Sequence, residues 1–161
     1  MLVVSNSSPL IACAAIGRLD LFPVLFESIL IPPAVASEIA PSLPTLPAWL
    51  RVEPLAGELP QAVLRRSLGA GERQALALAI ERRADRIVLD DLPARRLART
   101  LILAVIGTAG MLLAAKRRGL LSRIRPCPDD LVKQSFFVGP ELYEELLRLA
   151  GEWHSLTDHA D

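Results

Sequence analysis

The chain is poor in aromatic residues, cysteine and histidine, and it carries no net charge. Phe, Trp and Tyr make up 4% of the 161 residues while hydrophobic residues make up 52%, so the core must be built from Leu, Ile, Val and Ala. Cys13 sits in an apolar stretch and Cys127 between two prolines. Two cysteines so placed give neither a disulfide framework nor zinc-ligand spacing, and they read as buried or bystander thiols in a reducing cytoplasm. Both histidines, His154 and His159, lie in the C-terminal tail, where they flank Asp158. That leaves no Ser-His-Asp or Cys-His set for the folded part. No basic leader precedes an apolar segment at the N-terminus, so no signal peptide is expected. The apolar uncharged stretch at residues 101–115 is 15 residues long. Spanning a bilayer takes roughly 20. The composition excludes disorder and points to a soluble, cytoplasmic globular protein.

Eighteen basic residues balance eighteen acidic ones, so no overall field draws the protein to nucleic acid. The distribution is uneven. Residues 92–125 hold eight basic side chains (Arg95, Arg96, Arg99, Lys116, Arg117, Arg118, Arg123, Arg125) and no acidic one, whereas residues 126–161 carry a net charge of −6. Such a basic stretch either solvates outer helix faces or holds a polyanion.

Short, mainly apolar segments at 2–5, 28–31, 86–89 and 103–106 read as buried strands, with a further strand at 51–53. Between them lie helix patterns: one from Pro9, with Ser8 as N-cap, one at 20–26, one at 34–40, one at 60–68 and one at 72–83. Further helices are expected at 93–101, 108–118, 129–136 and 141–152. The stretch with Pro41, Pro44 and Pro47 reads as a surface loop. Alternating β and α segments with mainly apolar strands predict an α/β fold around a parallel sheet covered on both faces. Right-handed crossovers then bring successive strand ends to one edge.

Acidic residues stand where strand gives way to helix. Glu72 opens a helix directly after Gly69-Ala70-Gly71, and Asp90 with Asp91 ends the strand RIVL. Glu38 lies on the helix of IPPAVASEIA, and Asn6 follows the first strand. Each has a local explanation. An acid in a first helical turn is favoured by about 0.3–1 kcal/mol. One Asp of the pair can cap the next helix, and Asn6 can form an Asx turn. Both aspartates cannot fill one cap, however, and ligands in open α/β sheets bind outside the carboxyl ends of the strands. A pocket of carboxylates without Cys or His suits Mg²⁺ or Mn²⁺, which favour oxygen ligands.

Five segments in order, VVSNSSPLI, ILIPPAVASEI, LGAGERQALALA, IVLDDLPARRLA and LAVIGTAGMLLAAKRRGLL, resemble a PIN domain, close to the toxin ribonucleases of toxin–antitoxin pairs (the VapC-like group). The last segments are closer to a separate PIN-like subgroup than to those toxins. The resemblance spans about residues 2–125. It implies one PIN-like domain over 1–161, with a helical addition at 126–152 and a tail at 153–161. The implied fold is a three-layer α/β/α sandwich with a small, mostly parallel sheet.

The implied activity is RNA phosphodiester cleavage with Mg²⁺ or Mn²⁺, in a cytoplasmic homodimer silenced by a small antitoxin protein. A catalytically degenerate module that binds RNA or a protein partner is the alternative. Carried over by position, Asn6, Glu38, Glu72, Asp90 and Asp91 would be the metal-binding residues, and Glu38, Glu72 and Asp91 the catalytic ones. Ser8 matches a hydroxyl that supports the first acid, and Ser8, Arg95, Arg99 and Lys116 are the candidate nucleic-acid contacts. Asn6 stands where the family has its first Asp, which removes one charge and one possible base.

Overall fold

The computed structural model describes residues 1–64 and 67–154. Five strands, β1 (Val3–Ser5), β2 (Ile29–Ile31), β3 (Leu50–Val52), β4 (Arg86–Val88) and β5 (Val105–Ile106), form one sheet in the order β3-β2-β1-β4-β5. Every pairing is parallel. The fold class read from the sequence is the one observed, with the sheet wholly rather than mostly parallel. Val3, Val4 and Ser5 point alternately to the two faces and all three are buried, so both faces of the central strand are covered. The sheet edge is different: β3 buries Leu50 and exposes Arg51 and Val52.

The helices among the described residues are α1 (Ser7–Ala15), α2 (Leu21–Phe26), α3 (Pro33–Ile39), α4 (Ala70–Glu81), α5 (Leu92–Thr100), α6 (Thr108–Arg117), α7 (Pro126–Lys133) and α8 (Pro140–Leu149). None is long and apolar enough to cross a membrane. The chain divides into two compact units, Met1–Thr108 and Ala109–Asp161. The first contains the whole sheet.

Helix α4 is the keystone of the first unit. Its run Ala75–Leu76–Ala77–Leu78–Ala79 is buried on every side, as its unbroken apolar sequence requires. Burying Leu76 and Leu78 contributes roughly 1.5–3 kcal/mol each. The helix packs on β1 and β4, and α3 packs on it. Glu72, in its first turn, is thereby carried to the edge where β1 ends.

Three local expectations are corrected. Helix α1 begins at Ser7 with Asn6 at its N-cap, not at Pro9 after a Ser8 cap. Asn6 makes no side-chain cap hydrogen bond, because its amide is turned elsewhere. Helix α7 starts at Pro126, three residues before the expected 129, because a proline suits the first helical turn. The helix expected at 60–68 is a single 3₁₀ turn, Gln61–Val63, in its described part; residues 65–66 lie outside the described residues. So does the tail from 155 onward, with His159 and Asp158.

Candidate active site

Strand β1 pairs with β2 on one side and β4 on the other, so the strand order reverses between β1 and β4. In open α/β sheets the crevice at that reversal, outside the carboxyl ends of the strands, is where ligands sit. The register Ser5↔Val88 brings the two carboxyl ends level, and Asn6 extends the pairing by donating its N–H to the Val88 carbonyl at 3.0 Å. Asn6 and Asp90 therefore stand at the ends of the two strands that flank the crevice.

Asn6 is fully buried. Its Nδ2 donates to Glu72 Oε1 at 3.3 Å, a contact across 66 residues of sequence. The donor orientation follows from charge, since an ionised carboxylate only accepts. The other end of the amide, Oδ1, is buried and has no hydrogen-bond partner. An orphaned acceptor in a buried position costs about 1–3 kcal/mol, and such groups in native proteins call for an explanation.

Glu38 lies one step away. Its Oε2 accepts from the Ser7 hydroxyl at 2.5 Å and its Oε1 from the Gly71 N–H at 3.1 Å. A Cβ at Gly71 would meet both carboxylate oxygens, the farther at 2.7 Å, so a side chain there would push the Glu38 carboxylate off the start of α4. A second bond, from the Ala34 N–H to Gln74 Oε1 at 3.0 Å, ties the start of α3 to α4. Glycine serves Glu72 in the same way, because a Cβ at Gly69 would come within 2.7 Å of Glu72 Oε2.

The two aspartates part company. Asp91 caps α5, its Oδ2 accepting from the Ala94 N–H at 3.0 Å. Asp90 binds Thr108 twice, taking the N–H on Oδ1 at 2.7 Å and the hydroxyl on Oδ2 at 2.6 Å. Beside it, Arg95 Nη1 donates to the Leu89 carbonyl at 2.7 Å. Gly107 makes room for this group, since a Cβ there would meet Arg95 Nη1 at 2.5 Å and Asp90 Oδ1 at 2.9 Å. Burial, and then the charge of Arg99, lower the Arg95 guanidinium below its ordinary value, while Asp90 opposes both. It stays protonated at any ordinary pH.

Of the other residues singled out from the sequence, Ser8 is exposed, and its neighbour Ser7 holds Glu38 instead. Arg99 is exposed. Lys116 is engaged within the second unit, donating to the Ala150 carbonyl at 2.6 Å and to Glu152 Oε2 at 2.8 Å. Among the described residues, no group of three or more Asp, Glu, His or Cys side chains stands close enough to share a metal ion. The structure thus joins Asn6 to Glu72, sets Glu38 beside them through Gly71, and gives Asp90 and Asp91 partners of their own. What fits a hard cation is a smaller, mixed set of oxygens: the unpartnered Asn6 Oδ1 and the Glu72 carboxylate at the crevice between β1 and β4.

Sequence reasoning missed Ser7, Thr108 and the Gly71 N–H. Ser7 was one residue from the hydroxyl singled out, and Thr108 directly follows a strand-ending glycine. Starting α1 two residues earlier would have singled out Ser7, whereas the start of α6 at Thr108 was read correctly and only its pairing with Asp90 was missed.

Residues 2–152 match the family model described as PIN domain. No curated protein and no solved structure matches the chain.

Proposed function

This chain belongs to the PIN domain family, whose fold is of nuclease type, and we propose that it is a metal-dependent endoribonuclease acting as the toxin of a toxin–antitoxin pair. One observation carries the catalytic part: a fully buried amide oxygen, Asn6 Oδ1, left without a partner beside the Glu72 carboxylate at the sheet's crevice. The toxin role, the small antitoxin and a homodimer rest on the resemblance of the five ordered segments alone.

Asn6 Oδ1 and Glu72 would hold Mg²⁺ or Mn²⁺, with Asp90 at the end of the neighbouring strand as the next acid along the crevice. The ion would supply a bound water of lowered pKa and offset charge on the phosphate. Glu72 has one oxygen on Asn6 and keeps the other for a proton or a water. Glu38, fixed from two sides by Ser7 and Gly71, holds the start of α4 and with it the direction of Glu72. Asp91 gives one oxygen to the cap of α5, whereas Asp90 gives both of its oxygens to Thr108. Arg95 is steadied by one bond to Leu89 and keeps further donors for a phosphate, and the exposed Arg99 on the same helix suits the RNA backbone.

The test is cleavage of labelled single-stranded RNA with Mn²⁺ and with EDTA. Cleavage should require the ion and fall at least about 100-fold in Glu72→Gln, the loss of several kcal/mol of transition-state stabilisation. Wild-type rates in that variant, or undiminished cleavage in EDTA, would refute the proposal. The neutral Asn6, where the family has an acid, favours a second reading: a module that binds RNA or a protein without cutting. Salt-dependent RNA binding in EDTA with no cleavage under any ion would support that reading instead.

A further inference from the structure

An asparagine in place of an acid does more than subtract a charge here. Two ionised carboxylates at this spacing would repel one another in the absence of a cation. The Asn6 amide instead donates to Glu72 at 3.3 Å, so the two side chains attract without any ion. The acceptor of the same amide is buried and unpartnered. Glycines at 69 and 71 bring Glu72 and Glu38 in close, and each oxygen of the Glu38 carboxylate already accepts one hydrogen bond, from Ser7 and from Gly71. The acceptor left without any partner at this corner is the Asn6 amide oxygen.

We propose that Asn6 makes this a self-closing, single-cation site: its N–H clasps Glu72 when no ion is bound, and its Oδ1 is the acceptor that one divalent cation completes. The clasp keeps the ion-free protein folded and well ordered, and the lower charge makes the cation weakly held. This rests on reading the edge as a cation site and needs nothing about RNA.

Thermal unfolding and calorimetry on the full chain test it, with Mn²⁺ as the probe. In EDTA, Asn6→Asp loses the clasp and sets two carboxylates together, so it should unfold at least about 3 °C below wild type. Mn²⁺ should raise its midpoint further than it raises that of wild type, with affinity about tenfold tighter, since affinity for a hard cation follows ligand charge. Wild type should bind one ion per chain. An Asn6→Asp protein as stable as wild type in EDTA would overturn the proposal, as would a Mn²⁺ response no larger than that of wild type or two ions per wild-type chain.

If Asn6→Asp does not fold in EDTA, Glu72→Gln carries the test. Its side-chain oxygen still accepts from Asn6, so it should keep the wild-type midpoint in EDTA within about 1 °C while losing the Mn²⁺ response. A Glu72→Gln protein that loses stability in EDTA yet keeps the Mn²⁺ response contradicts the clasp. Absent RNA cleavage with this thermal pattern intact would reject the nuclease reading alone. Ion-dependent cleavage without the pattern would reject the clasp alone.

Discussion

Glu72 in the first unit and Glu152 in the second each close a polar cluster, and the two clusters are left in different states. Glu152 accepts from Lys116 Nζ at 2.8 Å, from the Ile124 N–H at 2.7 Å and from the Arg125 N–H at 3.2 Å. Its own carbonyl takes Arg125 Nη2 at 3.0 Å. Burial would raise this carboxyl, yet the hydrogen bonds from Lys116 and the two backbone N–H groups hold it below the ordinary glutamate value. That cluster gathers the ends of α6 and α8 and the start of α7, and every charge in it is answered. Around Glu72 the count does not close: the amide that binds it leaves an acceptor buried and unpartnered. A saturated cluster holds a structure together, whereas an unsaturated one at a strand-end crevice keeps an acceptor for a ligand.

The largest stability effect belongs to the saturated side. Glu152→Ala strands the Lys116 ammonium and two N–H groups, and it should cost about 2–3 kcal/mol, read from the denaturant midpoint. RNA cleavage per folded molecule should be unchanged. Acid should reproduce part of that loss. The Glu152 carboxyl is lowered in the folded state, so its contribution is present above the unfolded value of about 4.3 and disappears as pH falls through the folded one. The urea midpoint of wild type should therefore drop below about pH 4, and that of Glu152→Gln should drop less.

Gly71→Ala sharpens the comparison from the other side. Its methyl would displace the Glu38 carboxylate from the start of α4, costing about 1–3 kcal/mol as a steric insertion. It should also weaken Mn²⁺ binding by moving Glu72. A variant that loses stability but keeps Mn²⁺ affinity would separate Glu38 from the site.

The smallest effect tests whether strain away from the crevice is functional. Ile102 closes α5 in a left-handed conformation, φ 60°, while 93% exposed. It sits at the amino end of β5, opposite the acidic edge. Relief of the β-branched strain should outweigh the added chain entropy, so Ile102→Gly should gain about 0.5 kcal/mol with no change in cleavage. Lost cleavage in that variant would mean the strain is used.

Much of this was legible in the sequence because its signals were local. The run ALALAI required a helix buried all round, and the short apolar strands required a covered parallel sheet. The topological rule then put Asn6 and Asp90 at one edge. The remainder depended on single-residue phase or on long-range partners. A helix turns about 100° per residue, so starting α1 two residues early moved the cap position from Ser8 to Asn6 and set Ser7 against Glu38. Which aspartate caps α5 was undecidable from two adjacent identical residues. Lys116 looked like a phosphate contact because its partner Glu152 lies 36 residues away. The unpartnered Asn6 oxygen is a property of packing that no pattern in the chain announces.

The central contrast is tested most directly by one RNA-cleavage experiment on wild type, Glu72→Gln and Glu152→Ala, with rates normalised to folded protein and Mn²⁺ present. The expected result is a loss of at least about 100-fold in Glu72→Gln and none in Glu152→Ala. Equal rates in wild type and Glu72→Gln, or a matching loss in Glu152→Ala, would contradict the assignment of the chemistry to the edge between β1 and β4.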